Sequence, residues 1–291
     1  MWLYFALLSA VLNSFNVLAR KTHGSLAHPM ELCWWTTMLA IPFGIGLLLT
    51  SHQPYYTNFG FVIPLALSCI TAIASSVLSF HAFQKGETSA LTPITNCLPV
   101  FAVVTSFLFI GIVPTWTGLI GILLVVAGVY YSSVGKEKLS HPIKQILRSP
   151  GSRSMLACVI LWSIGTVLDK ISLESAEPTF IMAARQMICF VILSAILLLH
   201  PQKHRFRRGQ KVVQRWGWHI LAMSVFATLA VYFQLQALNL ADPAYVMAVK
   251  RLDIVFTVLL AHFILKEKHV MQRFEGSLVA FVGIVIICFT A

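Results

Sequence analysis

The nine residues TNCLPVFAV, at positions 95–103, have a counterpart 155 positions later in KRLDIVFTV, at positions 250–258. Three of the paired positions are identical, and the same gap-free register pairs the glycines at 121 and 128 with those at 276 and 283. Seven identities fall in this register over the 48 positions 82–129. Because FNVLARK (15–21) also matches GTVLDK (165–170) at a shift near 150, we infer that the chain consists of two repeats.

The composition is that of a protein that crosses a membrane several times. Hydrophobic residues make up 58% of the 291 residues and charged residues only 11%, whereas a soluble domain carries about 25% charged residues. Mean hydropathy is +0.81. Apolar windows close to the twenty residues that a bilayer requires predict ten helices, at 2–20, 31–50, 60–84, 88–110, 115–132, 154–172, 178–200, 217–239, 243–265 and 271–290.

The predicted fold is an all-α polytopic membrane protein whose ten transmembrane helices form two five-helix repeats. The first repeat covers 1–132, a basic connecting loop covers 133–153, and the second repeat covers 154–291. Because five is odd, the second repeat is inverted relative to the first. Many secondary transporters use such inverted repeats to place a binding site near the middle of the membrane.

The distribution of lysine and arginine predicts the orientation. The connections after helices 1, 3, 5, 7 and 9 hold 17 of the 21 Lys and Arg residues, while the opposite side holds only Lys170. Since cytoplasmic loops carry the excess of positive charge, we expect the basic loops 133–153 and 201–215 in the cytoplasm and both termini outside. The expected location is the bacterial inner (plasma) membrane.

Other classes of function find little support. The net charge of +11 lies in short connections facing lipid headgroups, and no basic helix or aromatic platform predicts nucleic-acid binding. The six cysteines lie singly in apolar runs, without a CxxC pair, and no HExxH is present. We therefore expect no cofactor, no metal and no disulfide framework, and the absence of a Walker-type loop argues against direct ATP drive.

Two stretches resemble the drug/metabolite transporter superfamily, specifically its EamA-type branch of ten-helix carriers. They are GETSALTPITNCLPVFAVVTSFLFIG…GLIGILLVVAGV (86–129) and ADPAYVMAVKRLDIVFTVLLAHFILKEK…FEGSLVAFVGIVII (241–287). The resemblance implies a transporter with both termini in the cytoplasm, in contrast to the charge count. It departs from the pattern at Ile112, where an acidic residue is usual. The Lys-Arg pair of helix 9 also resembles, more distantly, the phosphate-binding pair of triose-phosphate and nucleotide-sugar translocators.

Helix 9 carries the most unusual candidate residues. Lys250, Arg251 and Asp253 lie in an otherwise apolar run, where each ion costs about 2.5–3.5 kcal/mol on insertion scales. Lys250 and Asp253 are three residues apart, so they share a helix face and can pair. Arg251 points about 100° away, which leaves one cation for an anionic group in a water-filled cavity. Purely structural roles for the pair and for Arg251 are the alternative.

Further polar residues interrupt the other apolar runs. Arg185 lies within helix 7, either as a ligand-binding cation or as a structural link to backbone carbonyls or Asp169. Thr95 and Asn96 take the repeat positions of Lys250 and Arg251, beside Pro93 and Pro99, and are predicted to face the same cavity. The remaining candidates for substrate binding are Asn16, His81, Trp162 and Gln236. Single polar residues of this kind more often form hydrogen bonds between helices than contacts with a ligand, and that is the alternative role for each.

The predicted function is secondary transport of a small polar or anionic organic metabolite by alternating access around a cavity between the repeats. Coupling to a proton and exchange for a counter-substrate both agree with the sequence, as do a monomer and a homodimer. The alternatives are an intramembrane enzyme, for which no catalytic motif is present, and a non-transporting membrane sensor or lipid-binding protein. The glycine stripes of helices 5 and 10 predict close packing within one chain, with a dimer seam as the alternative.

Overall fold

The structure, a computed structural model, describes residues 1–23, 29–50, 55–85, 91, 94–134, 150–199, 203–257 and 271–290. These residues form ten main helices, joined by a short 3₁₀ turn at Phe59–Phe61 and an isolated β-bridge. The predicted all-α class is confirmed. The helices are α1 (Trp2–His23), α2 (Pro29–Leu49), α3 (Val62–Lys85), α4 (Leu98–Ile110), α5 (Trp116–Val134), α6 (Pro150–Leu173), α7 (Pro178–Leu199), α8 (Lys203–Leu240), α9 (Pro243–Lys250) and α10 (Met271–Thr290).

Five of these helices are long and apolar enough to cross a membrane by length and composition. The crossing segments are Met30–Leu49, Phe59–Ser79, Pro150–Leu173, Pro178–Leu199 and Gly217–Leu240. Four shorter apolar segments lie in α1, α4, α5 and α10. Large apolar side chains such as Phe107, Leu108 and Phe281 are more than half exposed, as expected for a surface that meets lipid rather than water.

The helices of the two halves pack in pairs that respect the repeat. α2 packs against α7, α4 against α9, and α5 against α10, so each of these helices meets its own counterpart. α1 packs against α8, and α3 packs against α6. Because α1 corresponds to α6 and α8 to α3, interchanging the repeats turns the first of these pairs into the second. These contacts are those expected when a pseudo-two-fold axis relates the two halves.

The paired helices run antiparallel, as two inverted repeats require. Along α1 and α8, Phe5 stacks on Phe233 with ring centroids 6.1 Å apart, and Phe15 stacks on Phe226 at 5.3 Å. Between them the Ser9 hydroxyl donates to the Ala230 carbonyl at 2.7 Å. Residue numbers therefore rise along one helix as they fall along the other.

Glycines permit the closest of these crossings, between α5 and α10. A Cβ added at Gly121 would lie 2.9 Å from the carbonyl oxygen of Gly283, and one at Gly128 would lie 2.5 Å from that of Gly276. The two backbones are thus in direct contact at two points. This confirms that the glycine stripes pack helices within one chain.

Two predicted helices are interrupted where they were expected to be continuous. In the first repeat the chain turns at Asn96–Cys97 before α4 begins, and in the second it turns at Arg251 before helical residues 252–257. Hydrogen bonds between residues three apart tighten both turns, from Cys97 N to Ile94 O (3.1 Å) and from Ile254 N to Arg251 O (3.2 Å). Pro99 lies at the start of α4, where its missing N–H is harmless. The predicted end of helix 9, at 265, lies outside the described residues.

Other boundaries also differ from those predicted. α8 begins at Lys203 and spans 38 residues, about 57 Å, so most of the predicted loop 201–215 is helical. Lysine, arginine and glutamine favour a helix once an apolar segment has nucleated it. α6 begins at Pro150 rather than 154, and the centre of the connecting loop lies outside the described residues. α9 begins at Pro243 after Asp242, as expected, although the Asp242 side chain makes no capping bond.

Replacing Gly128 by alanine is expected to destabilise the bundle by about 1–3 kcal/mol, because the added methyl overlaps backbone atoms of α10. The melting temperature of the purified protein in detergent measures the effect. Gly46→Ala is the matched control, since a Cβ there meets nothing within 4 Å. Equal melting temperatures for the two variants would contradict the α5–α10 contact.

Candidate functional site

A cavity of about 200 Å³ lies between the two repeats, enclosed by α2 and α3 of the first and α7 and α8 of the second. These four helices form two counterpart pairs, so the cavity lies where the pseudo-two-fold axis passes. Its volume is below the roughly 300–1,000 Å³ of pockets for drug-sized ligands, which suits a small solute. The polar side chains and cysteines that line it are Cys33, Thr36, Thr37, Ser76, Arg185, Gln186, Cys189, Ser224 and Thr228.

Arg185 is the one charged side chain among the described residues that line the cavity. Its Nη1 forms an ion pair with Asp169 of α6 at 2.5 Å, and the side chain is 20% exposed. The second Asp169 oxygen accepts a hydrogen bond from the Ser68 hydroxyl of α3, also at 2.5 Å. One edge of the guanidinium is therefore held by a buried carboxylate, while its other N–H donors remain for the cavity.

Four of the five hydroxyls that line the cavity already donate hydrogen bonds. Thr36 and Thr37 donate to the carbonyl oxygen of Cys33, and Ser76 and Ser224 donate to carbonyls of their own helices. Their lone pairs still accept hydrogen bonds. The walls thus offer weak acceptors, and the strong donor facing the cavity is the guanidinium of Arg185.

Gln186 connects three helices beside Arg185. Its Nε2 donates to the Thr228 hydroxyl of α8 at 3.1 Å, and its Oε1 is buried without a hydrogen-bond partner among the described residues. A Cβ added at Gly44 of α2 would collide with this oxygen. Gly44 therefore makes room for the amide, which positions the α7 segment that carries Arg185.

The predicted ion pair between Lys250 and Asp253 is not formed in the described part of the chain. Lys250 Nζ donates to the Gln234 side chain of α8, and Asp253 Oδ2 accepts from Asn13 Nδ2 of α1 at 2.6 Å. The helix is interrupted between them, so a three-residue spacing does not bring the two charges together. Each side chain bonds an amide on a neighbouring helix instead.

Arg251 and Asp253 are both buried with unused hydrogen-bonding capacity. Arg251 is 8% exposed and Asp253 is 4% exposed. Within the described residues, Arg251 Nε and Asp253 Oδ1 have no hydrogen-bond partner. None of the three charged residues of this segment lines the cavity, and their contact with substrate stays a prediction.

The Arg185–Asp169 ion pair and the three charged residues at 250–253 nevertheless interact electrostatically. Lys250 interacts electrostatically with Arg185 and Asp169 as well as with Arg251 and Asp253. These five side chains comprise three cations and two carboxylates, so the group has an excess of one positive charge when all are ionised.

The remaining predicted residues lie away from the cavity wall. Thr95 and Asn96 stand at the helix interruption of the first repeat, and Asn96 is fully buried. Asn16 is buried in α1, and Trp162 of α6 packs against the core. The last two form hydrogen bonds: His81 Nδ1 with the Ser154 hydroxyl of α6 at 2.9 Å, and Gln236 Nε2 with the Tyr232 hydroxyl of the same helix at 3.1 Å.

Asp169 and Lys170, neighbours at the end of α6, have separate partners. Asp169 is buried against Arg185 and Ser68, whereas Lys170 Nζ donates to the carbonyl oxygens of Leu238 at 2.6 Å and Ala241 at 3.3 Å. Lysine at this point satisfies carbonyls that the end of α8 leaves unpaired and complements the helix dipole.

Sequence reasoning identified one cavity residue, Arg185, and missed its neutral neighbours. Gln186 follows Arg185 directly, and its amide could have been recognised as a second polar group in an apolar span. Thr36, Thr37 and Thr228 gave a weaker signal, because hydroxyls in membrane helices usually bond their own backbone. Only the packing of the four helices shows that these side chains surround one space.

Ser68→Ala is expected to lower stability by about 1.5–3 kcal/mol, the typical contribution of a hydrogen bond to a charged group. Thermal unfolding in detergent measures this loss. Ser76→Ala, on the same helix, is the matched control, because its hydroxyl bonds only the Ala72 carbonyl of α3. Equal losses in the two variants would exclude a special role for the Ser68–Asp169 bond.

Comparison with known proteins agrees with this architecture. The profile of the EamA-like transporter family matches residues 1–134 and 150–289. No curated protein matches the sequence. Among solved structures, one crystal structure is similar with a TM-score of 0.74 and 16% identity, covering 98% of this chain and 96% of that one; at that identity the likeness concerns the fold alone. The chain belongs to the EamA-like transporter family, whose members are membrane transporters of the drug/metabolite type.

Proposed function

We propose that this transporter carries a small, singly charged organic anion, and that the anion binds Arg185 in the cavity between the repeats. The observation that carries the proposal is the guanidinium of Arg185, partly exposed in a cavity that both repeats enclose. A carboxylate fits the free edge of a guanidinium through two parallel hydrogen bonds. The rest of the wall is apolar or hydroxyl-bearing, which suits a short organic body.

Asp169 keeps Arg185 ready for such a ligand. An arginine without a counter-ion would be costly inside a membrane, and the ion pair with Asp169 offsets that cost between transport cycles. The arriving anion then binds a cation whose orientation is already set, so little side-chain entropy is lost. The excess positive charge of the surrounding group adds to the attraction.

Alternating access would expose this cavity first on one side of the membrane and then on the other. The antiparallel helix pairs give each half an equivalent set of contacts with the other half, as in other carriers built from inverted repeats. The chain would lie in the bacterial inner membrane with loops 133–153 and 201–215 in the cytoplasm.

Arg185→Gln is expected to reduce uptake of the transported anion into proteoliposomes by about 10- to 100-fold, the equivalent of one lost charge-assisted hydrogen-bond pair. Radiolabelled lactate, succinate and glutamate serve as anionic probes and glucose as the neutral one, after a thermal-shift screen shows which stabilise the protein. Arg185→Lys keeps the positive charge but cannot form the two parallel hydrogen bonds of a guanidinium, so this variant should retain only part of the uptake activity.

Arg153→Gln is the matched control, because Arg153 is an exposed residue at the start of α6. Normal uptake by Arg185→Gln would disprove the anion site. A probe that stabilises the protein but never crosses the membrane would indicate a binding protein instead of a carrier.

The orientation has its own test. Of the Lys and Arg residues outside the apolar spans, nearly all lie on the side of the connections after odd-numbered helices, so a reporter active only in the cytoplasm should be inactive when fused to the C-terminus. The same reporter inserted within 133–153 should be active. Activity at the C-terminus would reverse the assignment and agree with the orientation usual in the family.

A further inference from the structure

Two connections from different repeats are bonded to each other at one end of the bundle. The segment between α2 and α3 and the segment between α6 and α7 meet in an antiparallel bridge at Tyr56 and Ala176. Thr57 N donates to the Ser175 carbonyl at 2.9 Å, and Glu177 N donates to the Tyr55 carbonyl at 3.0 Å. We refer to residues 55–57 and 175–177 as the clasp.

Aromatic rings fill the space beneath the clasp. Phe180, in the first turn of α7, meets Tyr55, Tyr56 and Phe61 with ring centroids 6.2, 5.5 and 5.3 Å apart. Tyr56 also contacts Phe59 at 5.4 Å. A Cβ at Gly60 would lie 2.9 Å from the Ser175 hydroxyl, so the two connections are in close contact.

The cavity extends away from the clasp. The lining residue of α7 nearest the clasp, Met182, lies four residues after Pro178, the start of that helix, or about 6 Å along the helix axis, and the clasp and its rings occupy that end. In the other direction the cavity reaches Met30, at the start of α2, and Leu193, near the end of α7. Those helix ends lie on the side that carries the basic connections.

We infer that the clasp is the closed gate on the side of the membrane opposite the basic connections, and that the structure is the conformation whose cavity faces the basic side. The inference rests on the proposed function, because a gate has meaning only in a protein that passes a solute. It assigns a role to tyrosine and phenylalanine residues that do not touch the cavity.

The chemistry of the clasp suits a contact that opens and closes. Two backbone hydrogen bonds between connections exchange readily with bonds to water, so their net contribution is small. Tyr55 and Tyr56 are each about 40% exposed, which keeps the cost of separating the rings low. Backbone hydrogen bonds and ring contacts join the two repeats here.

A disulfide across the clasp tests the inference directly. Tyr56 and Ala176 lie opposite each other in the bridge and form no backbone hydrogen bond with each other. In such a pair the Cα atoms are about 4.5 Å apart, a distance that a disulfide can span. The double variant Tyr56→Cys with Ala176→Cys, in the full chain, is oxidised with copper phenanthroline. Each of the two thiols loses a proton to the buffer and an electron to copper(II), which becomes copper(I), and one S–S bond forms.

Native Cys189, which lines the cavity, reports access without any need for a transported substrate. A charged methanethiosulfonate is added to right-side-out or to inside-out vesicles, and the modified peptide is identified by mass spectrometry. Oxidation should slow modification from the clasp side about tenfold or more, because the open population is removed, and leave modification from the basic side unchanged. A reductant should reverse the effect, and the single variants should show none.

A second variant does not depend on the disulfide. Phe180→Ala removes the ring that contacts three others, and should speed modification of Cys189 from the clasp side several-fold. Phe281→Ala, at a position 61% exposed on α10, is the matched control and should change nothing.

The inference is overturned if oxidation leaves clasp-side modification unchanged, or if it abolishes modification from both sides. Failure of the proposed function is distinguishable from this result. In that case, the labelling pattern would appear as expected while lactate, succinate and glutamate all fail to enter proteoliposomes.

Discussion

A positive charge inside a membrane-spanning helix must be compensated by protein, since hydrocarbon cannot solvate it. In this chain the compensation of Arg185 extends over three helices, from α7 to Asp169 of α6 and from there to Ser68 of α3. Ser68 belongs to the first repeat and the two charged residues to the second. The requirement to neutralise one guanidinium therefore joins the halves at the depth where their shared cavity lies.

The inverted duplication accounts for the position of that cavity. α2 and α7 are counterparts, and so are α3 and α8, so the four walls comprise two helix pairs related by the pseudo-two-fold axis. The chemistry is not symmetric, because Arg185 and Gln186 both come from α7. A symmetric scaffold thus holds an asymmetric site.

Much of the architecture could be predicted from the sequence. The ten apolar segments, the duplication at 155 residues and the contact between the glycine stripes all follow from composition and spacing, because lipid imposes helices and small residues permit close crossings. The start of α9 at Pro243 followed from the Asp-Pro pair. The site was harder: Arg185 was identifiable as a charge in an apolar run, but its partner Asp169 was not determined by spacing.

The errors have a common physical origin. A three-residue spacing brings Lys250 and Asp253 together only if the helix is continuous. The turn at Arg251 depends on packing between helices, which the local sequence does not reveal. Lys250 bonds an amide on α8 and Asp253 bonds an amide on α1, where each was expected to bond the other. Similarly, the extension of α8 through a basic segment reflects nucleation by the apolar helix that follows it, a cooperative effect that local polarity hides.

The interruptions of α4 and the α9 segment occupy corresponding positions, and these two elements pack against each other. Short runs of three-residue hydrogen bonding within a helix are common at hinges. Two such turns, one in each repeat and on elements that pack against each other, lie where a tilt of the helices would need the least rearrangement. The long pairs α1·α8 and α3·α6 can then form a rigid frame, relative to which the flanking helices tilt together.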